Sequence, residues 1–204
     1  MSIRDLVVAQ FKNPSGPFGH VVGWIMATRH SNRERSRWTV DLLDIGPDDR
    51  VLELGCGPGV ALQHVARRLQ SGTVVGLDHS LVMARQATRR NREGIGAGKI
   101  LVRVGPIDGV AAVGGKFTKI FSVNVVQFQP DKPAFFRLLH TRLAAGGIVA
   151  TTYQPRNKNP TRSDAIAMAD QISAAMQSAG FVEIRVEERD FQPPTVCVIG
   201  VWPE

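Results

Sequence analysis

Short apolar runs alternate with longer segments of helical spacing from about residue 50 onward. The runs are rich in β-branched residues and nearly all apolar, as expected for strands that are covered on both faces of a sheet. They are Arg50 to Leu54, Thr73 to Leu77, Ile100 to Val104, Lys119 to Val123 and Gly147 to Thr152. Strand and helix patterns in this alternation indicate a parallel sheet with helices on both faces. We therefore expect a doubly wound α/β fold.

The segments between the runs carry apolar residues three and four positions apart, which is the spacing of an amphipathic helix. Ser80 is suited to cap one of these helices, and Pro133 suits the first turn of the next, which is expected to continue until Gly146. A final helix is expected from about Ser163 to Ala179. The expected core-facing residues are Leu81, Ala84 and Ala87 in the helix after Ser80, and Phe135, Phe136, Leu138, Leu139 and Leu143 in the helix after Pro133.

The end of the chain departs from this alternation. Val182 to Glu188 and Thr195 to Trp202 are both strand-like, and only a loop containing Pro193-Pro194 joins them. Because so short a connection cannot hold a helical crossover, the two strands should pair antiparallel. The sequence therefore predicts a mostly parallel seven-stranded sheet with one reversed strand.

The first 45 residues have a helical pattern that is interrupted by turn residues at Asn13 to Pro17. We expect them to form an N-terminal helical cap on a core of residues 46–204, within a single domain of residues 1–204. The carboxyl ends of the strands are where ligands bind in open α/β sheets. We therefore expect the substrate pocket to be built from Pro14 to His30, Asn124 to Gln129 and Tyr153 to Asn159. The first of these segments could act as a lid or merely pack on the sheet.

The chain has a formal net charge of +7, which invites a nucleic-acid function, because a basic surface attracts phosphate. Its 25 Lys and Arg residues are spread along the whole chain, however, with local enrichment only at Arg29 to Arg37 and at Arg85 to Arg92. These segments are typical of solvated helix faces. The two cysteines, Cys56 and Cys197, indicate neither a zinc site nor a disulfide framework. With no membrane-spanning run or secretion signal recognised, we expect a cytoplasmic protein.

The strongest chemical signal is an apolar strand, Val51 to Leu54, that leads directly into glycines at 55, 57 and 59. Glycine allows a sharp turn and lets a ligand approach the backbone closely. The amides at the start of the following helix suit a carboxylate or phosphate. The dinucleotide fingerprint G-x-G-x-x-G would need a glycine at position 60, which is Val60. The nicotinamide interpretation therefore lacks its defining feature.

A second strand ends in Asp78, where an acidic side chain can accept hydrogen bonds from ribose hydroxyls. This position favours any cofactor that carries a nucleoside. Because Asp78 lies beyond its strand, we expect its hydrogen-bonding partners to be on the ligand.

The combination of Glu53-Leu-Gly-Cys-Gly-Pro-Gly59 with Gly76-Leu-Asp-His-Ser80 resembles the small bacterial class I methyltransferases that use S-adenosylmethionine (SAM). Phe117 to Asn124 and Leu143 to Gly147 resemble later motifs of the same family. The resemblance implies a Rossmann-like fold, SAM as cofactor and S-adenosylhomocysteine (SAH) as product. It implies that the methionine part of SAM is held by Gly55, Cys56, Gly57 and Gly59, with support from Glu53, and that Asn124 lies beside it. It also implies that Asp78 binds the ribose and that His79 and Met83 flank the adenosine.

Three stretches differ from the family pattern. Pro106-Ile107 stands where Gly-Asp-Ala is common, with Asp108 two places later, so we expect adenine to be contacted there by apolar groups and backbone. Thr118 replaces a common aspartate. Pro130-Asp131 does not form the Asn-Pro-Pro-Tyr motif of enzymes that methylate nucleic acids or glutamine, which weakens those substrates.

The resemblance predicts direct displacement at the methyl carbon of SAM by a small-molecule acceptor. Correct positioning in a dry site can provide most of the acceleration, so no fixed catalytic base is required. Two alternatives stay open at this point. One is a SAM-binding regulatory or RNA- or DNA-associated protein without turnover, and the other is a nicotinamide-dependent oxidoreductase.

Overall fold

The computed structural model describes residues 30–204. The predicted turn at Asn13 to Pro17 and nearly all of the predicted lid, Pro14 to His30, lie outside the described residues. The side chains are described from Asn32 onward.

Seven strands form one sheet. They are β1 (Arg50–Leu54), β2 (Thr73–Asp78), β3 (Ile100–Val104), β4 (Phe117–Val123), β5 (Leu143–Tyr153), β6 (Val182–Arg189) and β7 (Thr195–Val201). Their order across the sheet is β3-β2-β1-β4-β5-β7-β6. β7 runs antiparallel to both of its neighbours, and the other pairs are parallel. The predicted seven-stranded sheet with one reversed strand is confirmed.

Helices cover both faces of this sheet. They are α1 (His30–Leu42), α2 (Val60–Ala66), α3 (Leu81–Arg90), α4 (Arg92–Gly96), α5 (Lys132–His140) and α6 (Arg162–Ser178), with 3-10 turns at Ile107–Ala112 and Val126–Phe128. One apolar cluster includes Val40 and Leu62 from α1 and α2, and the other includes Phe136 and Ile172 from α5 and α6. The prediction of a doubly wound fold is therefore confirmed.

Side-chain caps set the start of three helices. The Ser80 hydroxyl accepts a hydrogen bond from the amide of Met83 at 3.4 Å, as predicted for the start of α3. Asp131 accepts from the amide of Ala134 at the start of α5, with a distance of 2.8 Å. Thr161 and Asp164 form a capping box at the start of α6. Each cap satisfies a backbone N–H that would otherwise lack a partner at the first turn of a helix.

The helix predicted to run from Pro133 to Gly146 is shorter than expected. α5 ends at His140, and Leu143 instead begins β5, opposite Phe117 of β4. The amide of Phe117 donates to the carbonyl of Arg142 at 2.8 Å. This strand pairing satisfies backbone groups that the continued helix would have had to bond internally. The prediction that Leu143 belongs to the helix was wrong, although Leu143 is buried.

The apolar face predicted for α3 is shifted by part of a turn. Ala84 and Ala87 are buried as expected, but Leu81 is 51% exposed and Met83 is buried in its place. α3 begins at Leu81, so this residue stands at the first turn, at the edge of the stripe that faces the sheet. Met83 lies one turn before Ala87 and on the same face.

Thr118, one of the departures from the family pattern, lies at the amino end of the sheet. Its hydroxyl accepts from the amide of Arg50 at 3.0 Å and donates to the carboxylate of Asp49 at 2.7 Å. These bonds join the starts of β1 and β4. The threonine therefore has a structural role at the edge opposite to the carboxyl ends of these strands.

Candidate active site

A cavity of about 790 Å³ opens at the carboxyl ends of β1, β2 and β4. This is the edge of an open α/β sheet at which ligands bind. The predicted binding residues all line this cavity except Gly59 and Pro106. Those that line it are Glu53, Gly55, Cys56, Gly57, Asp78, His79, Met83, Ile107 and Asn124.

The turn after β1 exposes the backbone of Gly57 to this cavity. Gly57 has a φ of +51°, and a β-carbon added to it would meet no atom within 4 Å. The amides of Gly55 and Cys56 before it both donate to the carbonyl of Leu77, at 2.8 and 3.1 Å. The turn is therefore bonded to β2 and leaves an open cradle at Gly57.

Gly59 belongs to the same motif but has a different role. A β-carbon there would stand 2.9 Å from the β-carbon of Ala87 and 2.4 Å from Nδ2 of Asn91. Asn91 Nδ2 donates to the carbonyl of Gly59 at 3.0 Å. This glycine lets α3 pack against the start of α2, and it does not line the cavity.

Asp78 is bonded within the protein, which differs from the expectation that its partners are on the ligand. Its Oδ2 accepts from the amide of Gly57 at 2.8 Å, and its Oδ1 accepts from the amide of Ser80 at 2.9 Å. Burial raises the pKa of Asp78, while these two amide bonds lower it, with a net rise. Because each carboxylate oxygen has more than one lone pair, Asp78 can hold the glycine turn and still accept bonds from a ligand.

Glu53 of β1 is buried against the cavity. Burial raises its pKa well above the usual value, and the nearby charge of Asp78 raises it further. Its Oε2 has no hydrogen-bond partner among residues 32–204. No hydrogen bond to the glycine turn is found for it in that part of the chain, so support of the turn by Glu53 stays a prediction.

Asn124 follows β4 in a left-handed conformation, with a φ of 56°. Its side-chain Oδ1 accepts from the amide of Gln154 at 2.9 Å. Its Nδ2 is buried and has no partner within the described part of the chain. A hydrogen-bond donor is therefore available at the cavity wall between β1 and β5.

The opposite end of the cavity is formed by His79, Met83 and Ile107, together with Asp108. Pro106 lies outside the lining and starts the 3-10 turn, where its carbonyl accepts from the amide of Gly109 at 3.0 Å. This turn brings Asp108 back to the cavity. The apolar and backbone contact expected with adenine stays a prediction, and the cavity here also contains the carboxylate of Asp108.

Sequence reasoning did not single out the residues that α1 contributes. Asn32, Arg35 and Ser36 line the cavity from this helix, and Arg156 lines it from the loop after β5. Asn32, Arg35 and Ser36 are polar residues three and four positions apart on one helix face, and that spacing was the available signal. Arg156 falls within the predicted acceptor segment, Tyr153 to Asn159.

The part of the chain that the structure describes holds no group of His, Cys, Asp and Glu side chains suited to a metal ion. No helix between residues 30 and 204 is long and apolar enough to cross a membrane.

Comparison with known proteins shows which proteins the chain resembles. A family model described as "Methyltransferase domain" matches residues 51–147. The chain is 28% identical over 184 residues to the "Uncharacterized methyltransferase YdaC" of Bacillus subtilis, and the match covers 90% of this chain and 98% of that protein. It is 33% identical over 120 residues to a trans-aconitate 2-methyltransferase of Rhodopseudomonas palustris, which covers 57% of this chain and 44% of that protein. The chain is therefore similar to methyltransferases over most of its length.

The fold is shared with solved structures across nearly the whole chain. Magnesium protoporphyrin IX methyltransferase from Synechocystis, solved with bound SAM, superposes with a TM-score of 0.65 at 17% identity, covering 99% of this chain and 98% of that one. The [4+2]-cyclase SpnF superposes with a TM-score of 0.68 at 16% identity, covering 84% and 82%. These likenesses show the fold alone.

These comparisons support an enzyme that transfers a methyl group to an acceptor. The prediction of methyl transfer is confirmed. The comparisons give no support to the nicotinamide-dependent or non-catalytic alternatives.

Proposed function

We propose that this methyltransferase binds SAM over the carboxyl ends of β1, β2 and β4 and methylates a small molecule in the remainder of the same cavity. The observation that carries the proposal is the cavity itself. Its volume of about 790 Å³ is typical of sites for small ligands, and it extends from Asp78 to α1 and the loop after β5.

The residues of the cavity fit the groups that SAM carries. Gly57 offers backbone against which the methionine part can lie, because no side chain fills the space there. Asp78 offers carboxylate oxygens to the ribose hydroxyls. Met83 and Ile107, with His79, form the walls proposed for the adenosine.

Two buried polar atoms give further support. Asn124 Nδ2 and Glu53 Oε2 have no hydrogen-bond partner within residues 32–204, and both residues line the cavity. A buried polar group without a partner costs free energy, so such groups commonly bond to a ligand or to water. We propose that both serve the bound cofactor or the acceptor.

When bound, SAM supplies a methyl carbon that is activated by the positive sulfur beside it. The protein then has to hold the acceptor in line with that carbon and keep water out. Val125 and Phe128 provide apolar walls on the acceptor side. We propose that Pro14 to His30 close the site as a lid, continuing from α1, which already lines the cavity.

We also propose that residues 1–204 form one domain, with residues 1–45 as its helical cap. The packing of α1 against α2 supports this arrangement. A cytoplasmic location is proposed because Cys56 and Cys197 are both free thiols, the state that a reducing compartment maintains.

A titration followed by a structure tests the proposal. SAH should bind with a stoichiometry of one in calorimetry, and NAD should give no heat of binding. A crystal structure of the SAH complex should then show the ribose at Asp78 and the sulfur facing the space between α1 and Val125 to Gln129. Binding of SAH at another position would refute the residue assignments.

A further inference from the structure

One buried cation in the cavity has no carboxylate paired with it among residues 32–204. Arg35 of α1 is only 3% exposed and lines the cavity. Its guanidinium donates to the side-chain oxygens of Gln154 and Asn32, which are both neutral. Within residues 32–204, no carboxylate forms an ion pair with it.

The neighbouring residues hold the guanidinium in place without neutralising it. Gln154 Nε2 donates to the carbonyl of Pro193 at 2.8 Å and to the hydroxyl of Thr195 at 2.9 Å. These bonds orient the amide so that its oxygen faces Arg35. Arg35 Nε is buried and has no partner in the described part of the chain. One edge of the guanidinium is therefore positioned and still able to donate.

A second cation faces the same region. Arg156, in the loop after β5, also lines the cavity. Burial, with a contribution from the charge of Arg156, lowers the pKa of Arg35 to about 9. A buried charge without a partner is costly, and a second positive charge nearby increases that cost. An anion bound at Arg35 would offset this cost, and the charge of Arg156 would attract the same anion.

The acidic residue Asp78 and the two arginines lie at different positions along the cavity. The carboxylates of Glu53, Asp78 and Asp108 line it together with the two arginines. Asp78 ends β2, whereas Gln154, the partner of Arg35, follows β5. Three strand spacings separate β2 from β5 in the sheet, or about 14 Å. The arginines thus lie beyond the residues proposed for the ribose, on the side left for the acceptor.

We propose that Arg35 and Arg156 form an anion subsite that binds a carboxylate or phosphate group of the methyl acceptor. This inference rests on the proposed placement of SAM in the same cavity. The planar fork of arginine matches both kinds of anion in a bidentate arrangement. The acceptor is accordingly a small acid or phosphate monoester that carries a separate nucleophilic atom.

Simple anions provide the first test. The protein is saturated with SAH, which occupies the cofactor position including its carboxylate, and is titrated with acetate and with inorganic phosphate at constant ionic strength. Saturable binding of at least one anion is expected. Arg35→Met should weaken it about tenfold to a hundredfold, the effect of losing hydrogen bonds to a charged group. Arg35→Lys should retain part of it.

Arg89→Met is the matched control. Arg89 is an exposed arginine of α3 that does not line the cavity, so anion binding should not change in this variant. Thermal unfolding of each variant checks that the fold is intact. An equal loss of anion binding in Arg35→Met and Arg89→Met would show adventitious binding and overturn the proposal.

A second outcome separates the acceptor from the cofactor. If Arg35→Met weakens SAH binding and leaves anion binding of the SAH complex unchanged, the guanidinium serves the carboxylate of SAM, and the proposal is wrong. If SAH does not bind the unmodified protein at all, the cofactor assignment fails instead. Anion titration of the free protein, with the same variants, would then still test the subsite.

Turnover distinguishes the two anions. Methyl transfer from labelled SAM is measured with amino- and hydroxy-carboxylic acids, each paired with its primary amide, and with phosphate monoesters, each paired with its alcohol. The anionic member of a pair should be methylated at least about tenfold faster, and Arg35→Met should remove this preference. Equal rates within all pairs that react would refute the proposal.

Discussion

Replacing Asp78 by alanine removes a carboxylate that holds the glycine turn and is proposed to bind the ribose. In the protein it accepts hydrogen bonds from the amides of Gly57 and Ser80, at 2.8 and 2.9 Å. Leaving one buried donor unpaired, here the amide of Ser80, costs about 1 to 3 kcal/mol in the free energy of unfolding. For a chain of this size, each kcal/mol corresponds to a fall in Tm of about 2 to 4 °C. We therefore expect Asp78→Ala to fold with reduced stability.

The loss of binding free energy for SAM should be of similar size, but it comes from the lost bond to the ribose and not from the lost bonds to the backbone. Loss of a hydrogen bond to a charged group is worth about 1.5 to 3 kcal/mol, which corresponds to a tenfold to hundredfold increase in Kd. Calorimetric titration with SAH, at a temperature well below the Tm of the variant, measures this change. If Asp78 bonded only to the ligand, the variant would keep the stability of the unmodified protein. Because Asp78 also bonds to the protein backbone, we expect the variant to lose both folding stability and SAH affinity.

Asp131→Ala is the matched control for this prediction. Asp131 accepts a backbone amide bond at 2.8 Å at the start of α5, and it does not line the cavity. Its loss should cost about 1 kcal/mol of stability, as for other helix caps, and leave SAH affinity unchanged. If Asp78→Ala binds SAH as tightly as the unmodified protein, Asp78 does not contact the cofactor.

Three further changes test the site. Gly57→Val should fold but lose SAH binding in calorimetry, because the valine side chain would fill the open cradle. Gly98→Val changes another left-handed glycine with open space, outside the cavity lining, and should keep SAH binding. Equal SAH affinity in the two variants would refute the cradle. Folding raises the pKa of the Glu53 carboxyl, so the unmodified protein loses stability as pH rises above about 4.5, and Glu53→Gln should not. Urea unfolding at pH 5 and pH 8 should therefore show the free energy of unfolding of Glu53→Gln rising relative to that of the unmodified protein. A relative fall between these two pH values would contradict this sign. Deletion of residues 1–30 should leave SAH affinity measurable and abolish methyl transfer, and full turnover by the shortened protein would rule out the lid.

The local pattern of the sequence was sufficient for the sheet and for residues that line the cavity, including the glycine turn and Asp78. The glycines directly follow strand β1, and Asp78 directly ends strand β2. Each of these features lies within one short stretch of sequence, so it can be recognised without the tertiary structure. The reversed strand β7 followed from the length of one connection. In each case the determining interactions are close together along the chain.

Other roles depended on contacts between distant segments. Gly57 and Gly59 look equivalent in the sequence, but only the packing of Ala87 and Asn91 makes Gly59 a structural glycine. The length of α5 was decided by the pairing of Leu143 with Phe117 across the sheet.

The buried charge of Arg35 shows most clearly what the sequence leaves open. In the sequence it is one arginine of a basic segment that is typical of a solvated helix face. Only the tertiary structure places it against Gln154, 119 positions away, and beside Arg156 at the cavity. The burial of Arg35 and the charges around it depend on segments that are distant along the chain. No local pattern in the sequence encodes how these segments approach each other.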